Sequence, residues 1–407
     1  MIENMNPSIK KLANLAKKES RNIIGLMSGT SLDGLDIALC SVSGHGANTT
    51  VSLDRFITKD YSNREKESLK MISSVEHVKL QEVCYQHTRI AHIHARMILE
   101  ALNEWIIEPG EIDCIASHGQ TIYHLPARDL DDDRQPINST LQIGDGDHIA
   151  AITGILTISD FRQKHVAHGG EGAPMAALVD RLLFADTHEQ RILLNIGGIG
   201  NFTIVPSKKS PDQTSFTTDT GPGNTLIDKL VQKWFDKPYD KDAAIARSGT
   251  VHSEILYEML RDGWFSGSGA KSTGPEYFSV DWVAKKISNI GLSFDSIRPK
   301  DLIATVTELS AITIAKSINE HAEKTSNAVI YVSGGGAHNP LLMQRITEEL
   351  GGITVKNFSE LGINPDAKEA LIFAVLANEM LAGEGFDFKT ENGESMKLNV
   401  GKISFPK

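Results

Sequence analysis

The chain has 407 residues, of which 41 are Lys or Arg and 52 are Asp or Glu, so its formal net charge is −11, and 40% of its residues are hydrophobic. This composition is typical of a globular protein of about two or three domains and excludes a mainly disordered chain. The acidic balance, without basic runs, disfavours binding to nucleic acid or to an anionic membrane, because both require clustered Lys and Arg. A small molecule is therefore the expected partner.

The first 20 residues lack the continuous apolar stretch of a secretory signal. They are interpreted as a solvated extension in preference to a short amphipathic helix. Further along, no apolar run approaches the roughly 18 residues that span a bilayer. Cys40, Cys84 and Cys114 match neither a disulfide framework nor a zinc motif. These features predict a cytoplasmic protein that makes no membrane contact.

Two pairs of predicted strands are each joined by a Gly-rich turn. The pairs cover residues 22–27 with 35–42, and residues 192–196 with 201–205. Glycine lets the backbone approach a ligand closely, so that successive N–H groups of such a turn can point at phosphate oxygens. Each turn taken alone could equally close a hairpin and do nothing more.

A third Gly-rich segment joins a strand to a helix. The predicted strand over residues 328–332 leads to Gly334 and Gly335, and Asn339 followed by Pro340 marks the cap and first residue of a helix. Three such segments at comparable positions predict a nucleotide site. The alternation of strands with helices predicts an α/β fold.

The familiar nucleotide and nucleophile motifs are incomplete. Residues 267–272 resemble a P-loop, but Ala270 lies where the Gly-Lys pair should be continuous. Residues 198–203 lack the third glycine of the dinucleotide fingerprint, and residues 29–33 lack the last glycine of a hydrolase nucleophile elbow. These counts disfavour P-loop NTPases, Rossmann dehydrogenases and α/β-hydrolases.

Six ordered segments lie between about residue 22 and the C-terminus, and they are GLMSGTSLDG (25–34), SHGQT (117–121), SDFR (159–162), NIGGIGN (195–201), DTGPGN (219–224) and KSTG (271–274). Together they resemble the 1,6-anhydro-N-acetylmuramic acid kinases of the actin and hexokinase superfamily. The resemblance implies an α/β, two-lobed actin/hexokinase-like (ribonuclease H-like) fold with an inter-lobe cleft. It places residues 21–172 with 370–407 in the first lobe and 173–369 in the second, and it implies a homodimer.

The resemblance also implies the chemistry. Such kinases use ATP and Mg²⁺, open the anhydro ring with water and phosphorylate the freed O6, giving N-acetylmuramic acid 6-phosphate and ADP in peptidoglycan recycling. Two alternatives remain open: another sugar or acetate kinase of the superfamily, and a non-enzymatic, nucleotide-gated protein like actin or the heat-shock chaperones. A protein that only hydrolyses ATP would not need the polar set of Asp219, Arg162 and Gln120.

Asp219 is the predicted catalytic residue. It ends a polar strand over residues 215–219, and a carboxylate at a strand end can remove a proton from water. By resemblance it is the general base. The alternative is a capping role, since Asp before a helix is common.

The predicted sugar contacts are polar side chains near strand ends. Arg162 is assigned to the lactyl carboxylate, because guanidinium can bind a carboxylate through two bonds; a pair with Asp160 is the alternative. The remaining predicted contacts are His118, Gln120, Thr121, Gln142 and Glu369.

The predicted ATP-binding residues follow from the three Gly-rich segments. They are Gly29, Thr30, Ser31, Asp33, Gly34 and Asp36 in the first, Gly197 and Gly198 in the second, and Gly334, Gly335 and Asn339 in the third. Met27 and Asn195 stand where related sugar kinases usually have Asp. The Mg²⁺ ligands are therefore predicted to be Asp33 and Glu369, with Asp36 as a further candidate or an ordinary surface residue of the hairpin.

Several positions depart from the family pattern. His165, Glu171 and Pro275 stand where the family commonly has an acidic residue, Gln and Arg, and these departures bear on substrate affinity or lobe closure. His165 and His168 lack further metal ligands nearby in sequence and are interpreted as polar surface. His87, His92 and His94 lack the i, i+4 pairing of helical metal ligands and are interpreted as a solvated face.

Overall fold

A computed structural model describes residues 6–29, 31–127, 130, 135–172, 175–210, 215–267, 269–274, 276–322, 327–389 and 395–407. Among these residues, every helix is too short or too polar to cross a bilayer. The chain forms two compact units, which are unit 1 (Met1–Leu183 with Asp366–Lys407) and unit 2 (Phe184–Pro365).

At both junctions, unit 1 includes residues that were predicted to lie in the second lobe. Residues 175–183 and Glu369 belong to unit 1 rather than to the second lobe. Lys368 lies next to Glu369, and its Nζ pairs with Asp180 Oδ1 at 3.1 Å. Because the Asp180 side chain is only 1% exposed, this contact ties the two segments firmly together within unit 1.

The helices and strands of unit 1, numbered in chain order, are α1 (Pro7–Ala16), β1 (Ser20–Ser28), β2 (Gly34–Ser43), β3 (Thr50–Asp60), α2 (Asn63–Lys70), α3 (Leu80–Trp105), β4 (Cys114–Leu125), β5 (Ser139–Ile143), α4 (Gly146–Thr153), β6 (Thr157–Ser159), α5 (Phe161–Val166), α6 (Ala176–Phe184), α12 (Lys368–Ala382), β12 (Phe386–Lys389), β13 (Ser395–Leu398) and β14 (Lys402–Ser404). The last residue of α6 already belongs to unit 2.

The main sheet of unit 1 has the strand order β14-β6-β4-β1-β2-β3, with β5 paired to β4. Strands β1, β4 and β6 are parallel, whereas β2 and β3 follow β1 as antiparallel neighbours. Because side chains alternate along a strand, Ile24 and Leu26 enter the core with α3, while Gly25 faces α12. A Cβ at Gly25 would lie 1.9 Å from the Ala370 carbonyl oxygen, so glycine permits the close approach of α12.

The helices and strands of unit 2 are β7 (Gln190–Ile196), β8 (Ile199–Val205), β9 (Phe216–Pro222), α7 (Thr225–Phe235), α8 (Ser253–Leu260), α9 (Val280–Asn289), α10 (Pro299–His321), β10 (Ala328–Ser333), α11 (Pro340–Glu349) and β11 (Thr354–Asn357). Helix α10 is buried along most of its length, and its Ala311, Ile314 and Ile318 pack against the sheet core.

The sheet of unit 2 repeats the plan of unit 1. Its order is β11-β10-β7-β8-β9, with β7, β10 and β11 parallel and β8 and β9 antiparallel. Each unit thus contains an antiparallel three-stranded meander followed by two parallel strands. The α/β class is confirmed, and this repeated strand order is the one expected for the actin/hexokinase-like (ribonuclease H-like) fold.

The predicted hairpins are confirmed as β1–β2 and β7–β8, and Asn339 caps α11 with Pro340 as its first residue. The N-terminal segment differs from its prediction. Residues Pro7–Ala16 form a helix capped by Asn6, and its Leu15 is buried. The buried Arg21 donates from Nε to the Leu15 carbonyl oxygen at 3.0 Å, which anchors the helix to unit 1.

Candidate active site

The first Gly-rich turn is held by buried side chains of unit 1. Ser28, at the end of β1, donates from Oγ to Gln120 Oε1 at 2.5 Å, and Gln120 Nε2 donates to the Gly29 carbonyl oxygen at 3.1 Å. Gln120 is fully buried. The predicted sugar contact is therefore a support for the turn, because its amide faces protein groups.

Two further residues, missed by sequence reasoning, continue this network. Tyr61 Oη lies 2.9 Å from Ser28 Oγ and 2.6 Å from His94 Nε2. Burial lowers the pKa of His94 to about 3, so its ring is neutral at physiological pH. The prediction that His94 lies on a solvated face is wrong, since its side chain is fully buried; His92 on the same helix is exposed. No sequence signal links Tyr61 to the turn.

The remaining part of the predicted sugar set lies on β4, β5 and α5, except for Glu369, which lies on α12. Gln142 Nε2 donates to Thr121 Oγ1 at 3.1 Å across the β4–β5 pair. Arg162 Nε donates to His118 Nε2 at 3.1 Å. His118 is buried with a pKa lowered by burial first and by the Arg162 charge second, so it accepts this bond as a neutral ring. His118 therefore orients Arg162.

The alternative partner of Arg162 is excluded by the contacts of Asp160. Asp160 pairs with Lys402 instead. Burial lowers the pKa of Arg162 to about 10, while Glu369 opposes this shift, so the guanidinium stays charged at neutral pH. The Nε bond to His118 fixes the plane of the guanidinium, which sets the direction in which its other nitrogens can bind a carboxylate.

Three carboxylates of unit 1 were predicted as candidate metal ligands. Asp33 is 74% exposed, with Lys66 Nζ at 3.9 Å. Asp36 accepts from Thr58 Oγ1 at 2.6 Å, and burial raises its pKa. Glu369 keeps accessible surface, yet the surrounding protein raises the pKa of its carboxyl and the charge of Asp36 adds to that rise. The neighbouring Lys368 opposes the rise in the pKa of Glu369. Asp33, by contrast, is largely exposed to solvent.

His165 differs from its interpretation as polar surface. Its Nδ1 accepts from the Gly172 backbone N–H at 3.0 Å, and its ring contacts Phe388 with centroids 4.6 Å apart. Burial, followed by the nearby His168, lowers the pKa of His165, which keeps Nδ1 available as an acceptor. His165, one of the departures from the family pattern, therefore helps to order the segment that follows Arg162. Of the other two departures, Glu171 is half-buried, whereas Pro275 lies outside the described residues, as does the predicted ATP contact Thr30.

The second Gly-rich turn, in unit 2, is held by backbone groups. Asn224 N–H donates to the Gly197 carbonyl oxygen at 2.8 Å, and the N–H groups of Gly223 and Thr225 donate to the Gly198 carbonyl oxygen at 2.9 and 3.1 Å. These donors lie at the start of α7, so the helix N-terminus is used to fix the turn.

The third Gly-rich segment opens onto a cavity of about 410 Å³. Gly335, Asn339 and Asn224 line it together with Tyr239, His338 and Asp228. Asn339 Oδ1 accepts from the Leu341 and Leu342 N–H groups, so the predicted ATP contact also caps α11. Burial, and then the charge of Asp240, raises the pKa of Asp228 to about 6.

Gly334 is needed for the backbone itself. Its φ is +84°, in the region that favours glycine, and an added Cβ would lie 2.5 Å from Asn195 Oδ1. Asn195, which stands where related kinases usually have Asp, thus packs against the third segment.

Asp219 lines a cavity of about 130 Å³. It lies within β9, which continues to Pro222, and not at the end of a strand as predicted. Its Oδ2 accepts from the Thr273 N–H at 2.8 Å, and its backbone N–H donates to the Lys271 carbonyl oxygen at 3.0 Å. Burial raises the pKa of Asp219 to about 6, and the Thr273 bond limits that rise. The capping alternative is wrong, because Asn224 occupies the cap position of α7.

The structure thus groups the predicted residues by unit. Ser31, Gly34 and the first-turn carboxylates lie in unit 1 with the sugar set, whereas Asp219 and both remaining Gly-rich segments lie in unit 2. Within the described part of the chain, no three His, Cys, Asp or Glu side chains lie close enough to hold a metal ion.

Comparison with known proteins matches the family model described as anhydro-N-acetylmuramic acid kinase to residues 21–406. The chain belongs to the anhydro-N-acetylmuramic acid kinase family. Relatives of that name include one from Pseudoalteromonas atlantica, 45% identical over 99% of this chain and all of its own, and one from Caldanaerobacter subterraneus, 36% identical over 97% of this chain and 99% of its own. A relative from Clostridioides difficile is 36% identical over 94% and 97%.

The family match covers both units and every segment on which the sequence resemblance rested. It identifies the chain as an ATP-dependent sugar kinase of this family. The kinase interpretation is therefore favoured over the non-enzymatic, nucleotide-gated alternative.

Proposed function

We propose that this kinase transfers the γ-phosphoryl group of ATP to O6 of anhydro-N-acetylmuramic acid while water opens the anhydro ring. The observation that carries the proposal is Asp219, a carboxylate with a pKa raised to about 6 that lines a cavity and is held by one backbone N–H. A base of this pKa is ionised at neutral pH yet retains affinity for a proton, as general-base catalysis requires.

The reaction balances as follows. Asp219 takes a proton from water as the water oxygen bonds to the anomeric carbon, and the bond from that carbon to O6 breaks. O6 bonds to the γ-phosphorus, the bond to ADP breaks, and the products are N-acetylmuramic acid 6-phosphate and ADP. Phosphoryl transfer of this kind depends on alignment and charge stabilisation more than on covalent help from the protein.

The nucleotide is assigned to the three Gly-rich segments. An added Cβ at Gly29 or Gly197 would meet only ordinary van der Waals contacts, at 3.6 Å or more, so neither backbone is tightly covered on that side and a phosphate oxygen can approach it. The 410 Å³ cavity beside Gly335 suits a nucleoside. Asp36 and Glu369 are the groups that we assign to Mg²⁺, through water, because the charge of Asp36 adds to the raised pKa of Glu369 and a bound cation would oppose that rise, as Lys368 and Arg162 do. The metal would neutralise phosphate charge.

The sugar is assigned to the polar set of unit 1. Arg162, fixed by His118 and charged at neutral pH, is the group suited to a lactyl carboxylate. Thr121 and Gln142 already bond to each other and can extend that pair to a sugar hydroxyl. A homodimeric state, a cytoplasmic location and a role in peptidoglycan recycling stay predictions; light scattering of the purified protein tests the first of these.

Mass spectrometry tests the reaction directly. The sugar is incubated with the kinase, ATP and Mg²⁺ in H₂¹⁸O, and the expected product is heavier than the sugar by one phosphate and one labelled water. A product heavier by phosphate alone would overturn the ring-opening step. ADP formation that does not depend on the sugar would favour the nucleotide-gated alternative.

Two matched variants locate the base. Asp219 and Asp228 both have a pKa raised to about 6, but they line different cavities. Asp219→Asn should lower kcat by at least about 10² and leave ATP binding intact. Asp228→Asn should instead raise the KM for ATP and change kcat much less. A nearly normal kcat in Asp219→Asn would remove this residue as the base.

A further inference from the structure

An irregular segment that precedes α9 in the sequence contacts Asp219, the proposed base. Its described parts are residues 266–267 and 269–274, between the short helix Gly263–Phe265 and the N-cap of α9. Gly267 and Gly269 have φ of 94° and 110°, and the described residues from 266 to 270 are exposed. The position of this segment therefore depends on its anchors.

One set of anchors lies on β9. Lys271 N–H donates to Thr218 Oγ1 at 2.9 Å, Lys271 accepts from the Asp219 N–H at 3.0 Å, and Thr273 N–H donates to Asp219 Oδ2 at 2.8 Å. The last bond reaches the carboxylate that acts as base. The segment thus supplies a hydrogen bond that limits the pKa rise of Asp219.

The other set of anchors converges on Asp262. Its carboxylate accepts from the Trp264 N–H at 2.9 Å, Tyr277 Oη at 2.8 Å and Trp282 Nε1 at 3.0 Å, and it pairs with Lys286 Nζ at 2.8 Å. Burial opposes its ionisation, but these donors, Lys286 first, outweigh burial and lower the pKa of Asp262 to about 2. Asp262 is therefore a carboxylate that joins residues on both sides of the segment.

Trp264 connects the two sets of anchors. Its backbone N–H bonds to Asp262, and its ring lies 5.4 Å from Lys271 Nζ and lines the cavity that Asp219 lines. An aromatic cluster also joins the ends of the segment, with Phe278 5.2 Å from both Trp264 and Trp282. Apolar contacts are non-directional, so they hold the ends together without setting the direction of a hydrogen bond. The bonds to Asp262 are directional, and they fix Trp264 before the segment and Tyr277 after it.

We propose that Asp262 is a positioning residue for the general base, and that it acts through the irregular segment by holding the Thr273 N–H against Asp219. The proposal rests on the proposed role of Asp219. Asp262 makes no contact with the reacting groups in this scheme; it determines where the segment that touches Asp219 lies.

The proposal predicts a kinetic signature. Asp262→Asn keeps the size of the side chain but removes the charge that Lys286 requires and turns one acceptor into a donor facing other donors. When Thr273 N–H no longer bonds to the Asp219 carboxylate, the pKa of Asp219 should rise further. The other charged groups that line its cavity are Lys271, on the segment, and Lys316 and Glu320 on α10, which pair at 3.8 Å. Asp262→Asn alters neither member of that pair.

The experiment measures hydrogen exchange and the pH profile of kcat on the same full-length variants. For Asp262→Asn we expect exchange of amides in residues 269–274 to accelerate by about tenfold or more. The acidic limb of kcat should move to higher pH, and kcat at neutral pH should fall by about tenfold. Tyr277→Phe, which removes one donor and keeps the fold, should shift both readouts in the same direction by less.

Asp301→Asn is the matched control. Asp301 is another unit 2 carboxylate with a lowered pKa, held by Arg298 and by the Thr250 N–H at 2.7 Å, and it lies at the start of α10. Asp301→Asn should leave hydrogen exchange in residues 269–274 and the acidic limb of the pH profile of kcat unchanged. Unchanged hydrogen exchange in Asp262→Asn would overturn the proposal. Faster exchange in Asp262→Asn together with a pH profile of kcat equal to that of Asp301→Asn would also overturn it. A fully active Asp219→Asn would overturn the proposed base, and this proposal with it, without any Asp262 variant.

Discussion

The two Gly-rich turns have the same place in their sheets but are supported differently. In unit 1, the turn after β1 is held by side chains, namely Ser28, Gln120, Tyr61 and His94 in one buried network. In unit 2, the turn after β7 is held by three backbone N–H groups from the start of α7. A side-chain network can be broken by removing one atom, whereas backbone bonds survive most substitutions and fail only when an added atom forces them apart.

The same difference gives the two turns different responses to pH. The unit 1 network ends in a histidine that must stay neutral, so protonation opposes its folded state. Backbone amides do not titrate in the physiological range, so the unit 2 turn has no such element. Four predictions follow this contrast from the largest effect to the smallest.

Acid should weaken unit 1 through His94. Its pKa is about 3 in the folded protein against an ordinary value of 6.5, so the unfolded chain binds the extra proton between these values. The contribution of neutral His94 to the free energy of unfolding is fully present above about pH 6.5. It is lost toward pH 3, by up to about 1.4 kcal/mol per pH unit. His94→Gln can keep the bond to Tyr61 without titrating, so the stability of this variant should fall less steeply with decreasing pH. Hydrogen exchange of the β1 amides during denaturation at several pH values measures this change. The exposed His92→Gln should leave the slope unchanged; equal slopes in both variants would contradict the prediction.

An added methyl group should damage the backbone-held turn more than the side-chain-held one. A Cβ at Gly223 would lie 2.3 Å from the Gly197 carbonyl oxygen, whereas a Cβ at Gly29 meets nothing closer than 3.6 Å. Gly223→Ala should therefore cost about 1–3 kcal/mol. Gly29→Ala should stay within about 0.5 kcal/mol, yet should weaken ATP binding. Thermal unfolding and calorimetric titration of ATP measure the pair, and equal melting temperatures would show that α7 adapts.

Removal of one hydroxyl group should damage the side-chain-held turn of unit 1 more than the backbone-held turn of unit 2. Ser28→Ala removes the hydroxyl that donates to Gln120 Oε1 and leaves Tyr61 Oη with His94 alone, at a cost of about 1–2 kcal/mol. It should also raise the KM for ATP, because Gln120 no longer holds the Gly29 carbonyl oxygen. Thr225→Ala in unit 2 should cost less, since the backbone N–H of Thr225 still bonds to Gly198. If Thr225→Ala raised the KM for ATP as strongly, the contrast between the turns would fail.

The smallest effect is expected at the exposed edge of the first turn. Asp33 is 74% exposed and 3.9 Å from Lys66 Nζ, so Asp33→Asn should change stability by less than about 0.5 kcal/mol. It should also leave the Mg²⁺ concentration for half-maximal activity unchanged, whereas Glu369→Gln should raise it. A larger shift in Asp33→Asn than in Glu369→Gln would restore Asp33 as the metal contact.

Local patterns predicted the strands, the turns and the cap of α11, because each depends on residues a few positions apart. Asn339 bonds to N–H groups two and three residues ahead, so its role can be read from spacing alone. The side chains whose surroundings could not be predicted have distant partners. Gln120 meets Ser28 92 positions away, and Arg162 meets His118 44 positions away. Polar residue types indicated a site at these positions, but not whether each side chain faces a ligand or another side chain.

Sequence alone thus determined the α/β class, the family and the candidate base, because backbone conformation and ordered motifs are local properties. Only the tertiary structure decided which polar groups are buried. Burial makes His94 neutral and raises the pKa of Asp219, and the chain that returns from Asp262 brings the Thr273 N–H to that carboxylate. Desolvation and directional bonds between distant residues exist only after the units have folded, so no count of residues along the chain could supply them.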